Sequence, residues 1–228
     1  QDYDKNTPTN QPQLFANQPS SNNGVKDGIP NEGIQHFLDA YSGEKFTKED
    51  LFYYIYGLLH STEYRERFQN NLSKELPRIP AVKRFEDFMA FSKAGRKLGD
   101  LHVNYENVDP YPVTMQNELI AHADPKSLYR VEKMKFLGKR PNLDKTTVIY
   151  NNNYTMRDIP LEAYEYVVNG KPALEWVMER QVVKTDKASG IVNDANDYAN
   201  ETMNNPKYPL ELFQRVITVS LETMKIVR

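Results

Sequence analysis

The sequence predicts an α+β fold: a helical N-terminal half packed on a small antiparallel sheet and closed by a C-terminal helix. Three observations predict it. Apolar residues recur at helical spacing from about residue 32 to about residue 101. Between about residues 128 and 159 the pattern changes to short β-branched and aromatic runs separated by turn-formers. Leu210, Phe213, Ile217, Leu221 and Met224 then fall on one stripe of a final helix.

Residues 1 to 28 are rich in Asn, Gln, Pro, Ser and Gly and have little to bury, so they are expected to form a linker or arm. Leu14 and Phe15 are its only candidates for pinning to the body. Residues 29–228 are expected to fold, with a helical part over about 29–103 and a sheet-plus-helix part over about 126–228. A short helix from Glu32 to Ala40 carries Ile34, Phe37 and Leu38 on its apolar side. Thr47, three residues before Asp50, opens the next helix as an Asp variant of the capping box. That helix runs to about His60 and is apolar on almost every side, which predicts burial. Ser61 offers an N-cap for a further helix from Thr62 to Leu72, with Arg65, Arg67 and Lys74 facing outward.

Leu76-Pro77-Arg78-Ile79-Pro80 cannot be helical, because each proline lacks an amide donor and pushes its predecessor toward extended geometry. A longer helix follows over about Lys83 to Leu101, buried through Phe85, Phe88, Phe91 and Leu98. Its Gly95 and Gly99, one turn apart, invite close approach of another element. Asn104 to Pro125 reads as loop. Leu128 to Phe136, Thr147 to Tyr150 and Tyr154 to Ile159 read as a meander, with Gly138 to Asp144 and Asn151 to Asn153 as its turns. On the first strand Lys133 and Lys135 are expected to share a face. Leu161 to Val168 reads as a short helix stopped by Asn169-Gly170, and Pro172 as the start of another from Ala173 to Val183 that carries Trp176. Lys184 to Asn200 reads as loop, and the last helix as Pro209 to Met224.

With 39% hydrophobic and 26% charged residues, the composition is that of an ordinary globular protein with a real core. No apolar run is long enough to span a membrane and no leader is evident, so a cytoplasmic setting without membrane contact is the expectation. The absence of cysteine removes disulfides, thiolate nucleophiles and cysteine-ligated zinc. The start at Gln1 reads as a fragment of a longer polypeptide.

The net charge of −2 gives no reason by itself to expect nucleic acid, but its distribution is uneven. Arg65, Arg67, Arg78 and six further bases between His60 and Lys97 outnumber the acids there. From Lys126 to Lys145 the bias is stronger, with Lys126, Arg130, Lys133, Lys135, Lys139, Arg140 and Lys145 against Glu132 and Asp144.

No catalytic signature is present. The ten glycines do not form a phosphate-binding loop, and the dispersed His36, His60, His102 and His122 contain no His-x-x-x-His pair for a metal. His60 and His102, beside tyrosines near helix ends, read as capping or core hydrogen-bonding residues. Asn205-Pro206-Lys207-Tyr208 departs from the Asn-Pro-Pro-Tyr turn of amino-methyltransferases and reads as a loop before the last helix. Binding chemistry is better supplied: Lys and Arg can neutralise phosphates, and Asn and Gln can present paired donors and acceptors to adenine.

Taken together, FYYIYGLLHSTEYRERF, KELPRIP, AGRKLGDLHVNYE, NNNYTMRDIP and YEYVVNGKPALEWVMERQVVKTDKASGIVND resemble the C-terminal target-recognition region of single-chain type ISP restriction-modification enzymes. The resemblance runs from about Asn31 to the C-terminus, with several long motifs in the family's order. It implies sequence-specific recognition of double-stranded DNA. It also implies that this region directs adenine methylation and ATP-dependent cleavage carried out by methyltransferase, ATPase and nuclease domains elsewhere on the parent chain. The parent's S-adenosylmethionine, ATP and Mg would then bind outside this non-catalytic fragment. On this reading Arg65, Arg67, Arg78, Lys133, Lys135, Lys139 and Arg140 hold DNA phosphates. Asn151, Asn152, Asn153 and Arg157, or Lys184, Lys187 and Asn193, read base edges. The alternative is an intramolecular coupling domain that binds its own enzyme's methyltransferase or motor and makes little DNA contact itself.

Overall fold

The computed structural model describes residues 28–117 and 124–228, so the expected arm with Leu14 and Phe15, together with His122, lies outside the described residues. The first half is five helices: α1 (Asn31–Ala40), α2 (Lys48–His60), α3 (Thr62–Arg67), α4 (Gln69–Leu72) and α5 (Phe85–Val103). Thr47 and Asp50 close the capping box at the start of α2, with the Asp50 amide donating to Thr47 Oγ1 (3.1 Å) and the Thr47 amide to Asp50 Oδ2 (2.9 Å). Ser61 caps α3, but the helix expected to reach Leu72 without a break divides at Phe68, where the backbone leaves helical geometry.

Three tyrosine hydroxyls hold the proline connector, which has no ladder of its own. Tyr54 donates to Pro80 O (2.5 Å), Tyr64 to Arg78 O (2.6 Å) and Tyr41 to Val82 O (2.8 Å). The same rings pack with Phe37, Leu51, Leu58 and Phe88 as the core of this half. Burial pushes all three phenols up, so they remain donors at neutral pH. The expectation that α2 is buried all round is corrected at Phe52, which is 53% exposed and stacks on Tyr56 instead. One face of α2 meets α5 with backbone nearly touching backbone. A Cβ on Gly57 would come within 2.5 Å of Phe91 O, one on Gly95 would collide with Tyr53 O, and Gly99 leaves room for the Tyr53 ring.

The second half is built on a four-stranded antiparallel sheet of order β1 (Thr114–Asn117), β4 (Tyr154–Arg157), β3 (Asn142–Ile149), β2 (Lys135–Lys139). Several expectations are corrected here. The segment read as loop after Asn104 contains β1, an edge strand beside β4. Leu128 ends a one-turn helix, α6 (Pro125–Leu128), and the strand starts only at Lys135. Lys133 therefore precedes β2 and shares no strand face with Lys135. The turn expected over Gly138 to Asp144 narrows to Arg140-Pro141, because Gly138 and Lys139 pair with Leu143 and Asn142.

Asn169-Gly170 does not stop a helix. Both residues have positive φ (49° and 78°) and turn a small hairpin between β5 (Val167–Val168) and β6 (Lys171–Pro172), preceded by a 3-10 turn at Leu161–Tyr164. Helix α7 (Ala173–Arg180) ends three residues earlier than expected, with Trp176 Nε1 donating to Val168 O (2.7 Å). The segment read as loop from Lys184 contains β7 (Lys184–Thr185) paired with β8 (Val192–Asn193). One helical turn, α8 (Ala195–Asp197), and a π-type turn at Tyr198–Thr202 follow. Helix α9 (Tyr208–Val227) closes the core as its stripe predicts, with Phe213 and Ile217 fully buried against Val148, Met156 and Leu174. It also packs on α5, where Thr223 Oγ1 lies 2.9 Å from His102 Nε2, so α9 stands between the two halves.

Candidate nucleic-acid interface

The stretch from Leu128 to Glu132 organises the candidate site. It begins at the last residue of α6, which Asp124 caps, and belongs to no strand, yet much of its backbone is hydrogen-bonded by groups from elsewhere in the chain. Asn151 Nδ2 donates to Leu128 O (3.0 Å) and Arg130 O (2.9 Å), Asn153 Nδ2 to Leu128 O (3.1 Å), and the Tyr150 hydroxyl to Tyr129 O (2.7 Å). From the other side, buried Asn196 accepts from Val131 N (2.9 Å) and donates to Val131 O (2.7 Å), while Val183 N donates to Glu132 O (2.9 Å). Two predicted base-reading segments, the β3–β4 turn and the β7–β8 hairpin, are thus fastened to the same piece of backbone. Arg130 adds an ion pair to Asp194 (2.8 Å). Burial pushes the Asp194 carboxyl up, but hydrogen bonds from Asn196 and Arg130 outweigh it and leave the pKa lowered.

This anchoring divides the predicted residues by what their side chains have left to offer. Asn151 also accepts from the amides of Asn153 and Tyr154 (2.8 Å each), so its amide group is fully engaged inside the fold. Asn153 is engaged in part. Asn152 between them is exposed and has no side-chain partner among the described residues. Arg157 lies on β4 and donates from Nε to Gln116 Oε1 on β1 (2.8 Å). On the hairpin, Lys184, Lys187 and Asn193 are all exposed. The turn carrying Lys187 is rigid, because Asp186 Oδ1 accepts from Ala188 N (3.0 Å), Ser189 N (2.8 Å) and Ser189 Oγ (2.9 Å). Ile191 and Val192 expose apolar surface beside these polar groups.

Three residues absent from the sequence-based set, Lys207, Tyr129 and Tyr154, lie beside these loops. Lys207 places Nζ 5.1 Å from the centroid of the Tyr129 ring, which stacks in turn on Tyr154 at 5.1 Å and 5°. Burial, followed by the hydrogen bond to Tyr129, pushes the Tyr154 phenol up to about 12. The unusual Asn205-Pro206-Lys207-Tyr208 turn was the one signal in the sequence pointing to Lys207.

The remaining predicted cations are elsewhere. Lys135 is exposed at the end of β2 that pairs with Ile149, on the same side of the sheet's length as the Asn151–Asn153 turn. Lys139 and Arg140 are at the opposite end of β3, whose eight residues span roughly 26 Å at ~3.3 Å each. Arg65, Arg67 and Arg78 are exposed on the helical half. Arg67 lies over the Phe68 ring (5.6 Å), and Arg78 approaches Glu75 at 3.6 Å. Arg65 borders a cavity of about 300 Å³ with His60, Thr62, Glu165 and Tyr166. Beside it His60 Nδ1 and Tyr56 O share a hydrogen bond (2.8 Å), as do His102 Nδ1 and the Tyr56 hydroxyl (2.8 Å). Burial and then the neighbouring His60 push the His102 pKa down to about 4. Among the described residues no group of His, Cys, Asp and Glu is placed to hold a metal ion, and no helix is long and apolar enough to cross a membrane.

Polar and basic side chains carried on loops, each locked to a common backbone segment, define a recognition module. The chain belongs to the Type ISP C-terminal specificity domain family, whose model matches residues 3–212. Similar solved structures include a nuclease-deletion mutant of the Type ISP restriction-modification enzyme LlaGI in complex with a DNA substrate mimic. There the identity is 44% over 81% of this chain and 14% of that one, with a TM-score of 0.66. The ATP-dependent Type ISP restriction-modification enzyme LlaBIII bound to DNA is 38% identical over 92% of this chain and 13% of that one, with a TM-score of 0.73. A DrdV-DNA complex is 30% identical over 87% of this chain and 19% of that one, with a TM-score of 0.70. This chain therefore spans under a fifth of each of those chains. No match is found among curated proteins.

Proposed function

We infer that residues 29–228 act as one sequence-specific recognition unit for double-stranded DNA, part of a longer restriction-modification polypeptide. The observation that carries this reading is the joint anchoring of the Asn151–Asn153 turn and the Lys184–Asn193 hairpin on Leu128–Glu132. It presents Asn152, Lys184, Lys187 and Asn193 from a rigid base. The family and the three similar DNA complexes support it. Asn152 and Asn193 supply paired donors and acceptors for base edges, and Lys133, Lys135 and Lys207 supply charge for phosphates. Arg65, Arg67 and Arg78 add charge on the helical half. On this reading the fragment performs no chemistry itself. Adenine methylation with S-adenosylmethionine, and cleavage with ATP and Mg, belong to other domains of the parent chain, and cytoplasmic DNA is the substrate.

The test is selection of bound molecules from a random pool of short duplexes at moderate salt, using this chain. Recovery of one asymmetric motif is the expected result, and recovery of unrelated sequences overturns the reading. A second reading rests on a different surface. Val103, Tyr105, Tyr198 and Met203 are exposed, and Tyr198 packs edge-on to Tyr208. Exposed apolar and aromatic side chains of this kind suit contact with a neighbouring domain of the same polypeptide. If the pool yields no motif, binding to the separately expressed methyltransferase domain of the parent, lost in Tyr198→Asp, supports this second role.

A further inference from the structure

The β2–β3 hairpin has two unlike parts. Lys135 and Phe136 pair with Ile149 and Val148 inside the sheet, where β4 lies on the other side of β3. Beyond Phe136 the register jumps. Leu137 pairs with Asp144, leaving Lys145, Thr146 and Thr147 as extra residues on β3, and from there to the turn the two strands have only each other among the described residues. Such a bulge bends the ribbon out of the sheet. The bend is fixed, because Lys145 O accepts from the Tyr164 hydroxyl (2.8 Å) and Thr146 O from Ile159 N (3.0 Å). Asp144 Oδ1 accepts from Thr146 N (2.9 Å) and Thr146 Oγ1 (2.6 Å).

A short ribbon therefore projects from a rigid root. Every residue from Leu137 to Asn142 is exposed. Gly138 has φ +93°, and a Cβ there would lie 2.6 Å from Asn142 O, so the ribbon's close backbone crossing requires glycine. At the apex Lys139 and Arg140 have no ion pair or side-chain hydrogen bond among the described residues. The nearest acid in sequence, Asp144, is spent on Thr146 at the root. Among the described residues nothing competes for the guanidinium.

We propose that the Leu137–Asp144 ribbon is an arm that enters the major groove of duplex DNA, with Arg140 reading a guanine and Lys139 meeting a phosphate. The proposal rests on the DNA-recognition reading above and deepens it. A two-stranded ribbon fits the major groove, which is about 12 Å wide, and an exposed arginine at its tip matches guanine O6 and N7 with two donors. The tip and the Asn151–Asn153 turn lie at opposite ends of β3, which gives the two contacts different positions on the duplex. Its guanine is thus expected toward one end of the recovered motif.

The experiment compares the intact chain with Arg140→Ala, Arg140→Lys and Lys139→Ala in the same duplex selection, followed by titrations on the recovered motif. Because the ribbon is exposed, thermal melts of all three variants should match the parent. The expected result is loss of guanine preference at one position in Arg140→Ala, with roughly ten- to hundred-fold weaker cognate binding and little change on unrelated duplexes. Arg140→Lys should relax the same position, because an ammonium cannot make the two-pronged contact. Replacing that guanine by 7-deazaguanine should weaken the parent and leave Arg140→Ala unaffected. Lys139→Ala should weaken all duplexes alike and lower the salt slope by about one unit. A motif unchanged in Arg140→Ala, or equal weakening on every duplex, overturns the arm alone. Failure of the unaltered chain to recover any motif overturns the function reading and this proposal together.

Discussion

Asn151 uses its whole amide inside the fold, bonding two carbonyls 21 and 23 residues away, whereas exposed Asn152 beside it has no side-chain partner among the described residues. Asn151→Ala leaves Arg130 O without its donor, leaves Leu128 O with Asn153 alone and frees two turn amides, so it should lower stability by about 2–3 kcal/mol in urea denaturation. Asn152→Ala should leave stability within about 0.5 kcal/mol and cost about 1–3 kcal/mol of cognate DNA binding. Three adjacent asparagines announce a turn in the sequence. Which of them faces outward depends on carbonyls in a distant segment, and no local pattern carries that. His102 gives a prediction with a sign. Its pKa is held down at about 4, while in the unfolded chain it is ~6.5. Between those values the unfolded chain binds a proton that the folded chain refuses, so stability falls as pH drops through that window. Burial of His60 lowers its pKa too and acts in the same direction. The melting temperature at about pH 5 should lie below that at about pH 7.5, with at most ~2 kcal/mol lost to His102 at the lower pH. In His102→Asn the difference should shrink, although stability at neutral pH is lower.

Helices with a strong apolar stripe and a cap were readable: the Thr47 box starts α2, and the Leu210–Phe213–Ile217 stripe marks α9. Short elements were not. Strand β1 reads Thr-Met-Gln-Asn, with no alternation to distinguish it from loop, and exists because β4 offers it an edge. The β7–β8 hairpin has two residues per strand and depends on the Asp186 turn and the Asn196 anchor. Gly95 was visible as a point of close approach, but its partner Gly57 lay inside an apolar run that read as ordinary core. Gly95→Ala forces a methyl into the Tyr53 carbonyl and must push α2 from α5. It should cost about 3 kcal/mol or more by denaturant titration, well beyond the effect of an alanine on an exposed helix face.

The molecule has two aromatic-rich cores, one around Phe37, Tyr54 and Phe88 and the other around Tyr150, Met156 and Phe213. Helix α9 and the His102–Thr223 hydrogen bond join the halves. Unfolding should therefore be one transition. Fluorescence of Trp176, the single tryptophan, reports the second half, and far-ultraviolet circular dichroism weights the helical first half. Their melting curves should coincide, whereas two separated midpoints would show that α9 does not couple the cores. The division into halves was legible from the change of period after residue 125. The charged surface was legible only as composition, since its cations reach the helical half, the anchored loops and the far ribbon by tertiary routes. The position of α9 also has a consequence for how the chain is made. Every element that α9 covers leaves the ribosome before it does, and about 80 residues separate β3 from the end of α9. At ~5–20 residues per second, the apolar face of the sheet stays bare for on the order of ten seconds in each newly made molecule. During that interval a chaperone that holds short apolar strands has its one clear opportunity to bind.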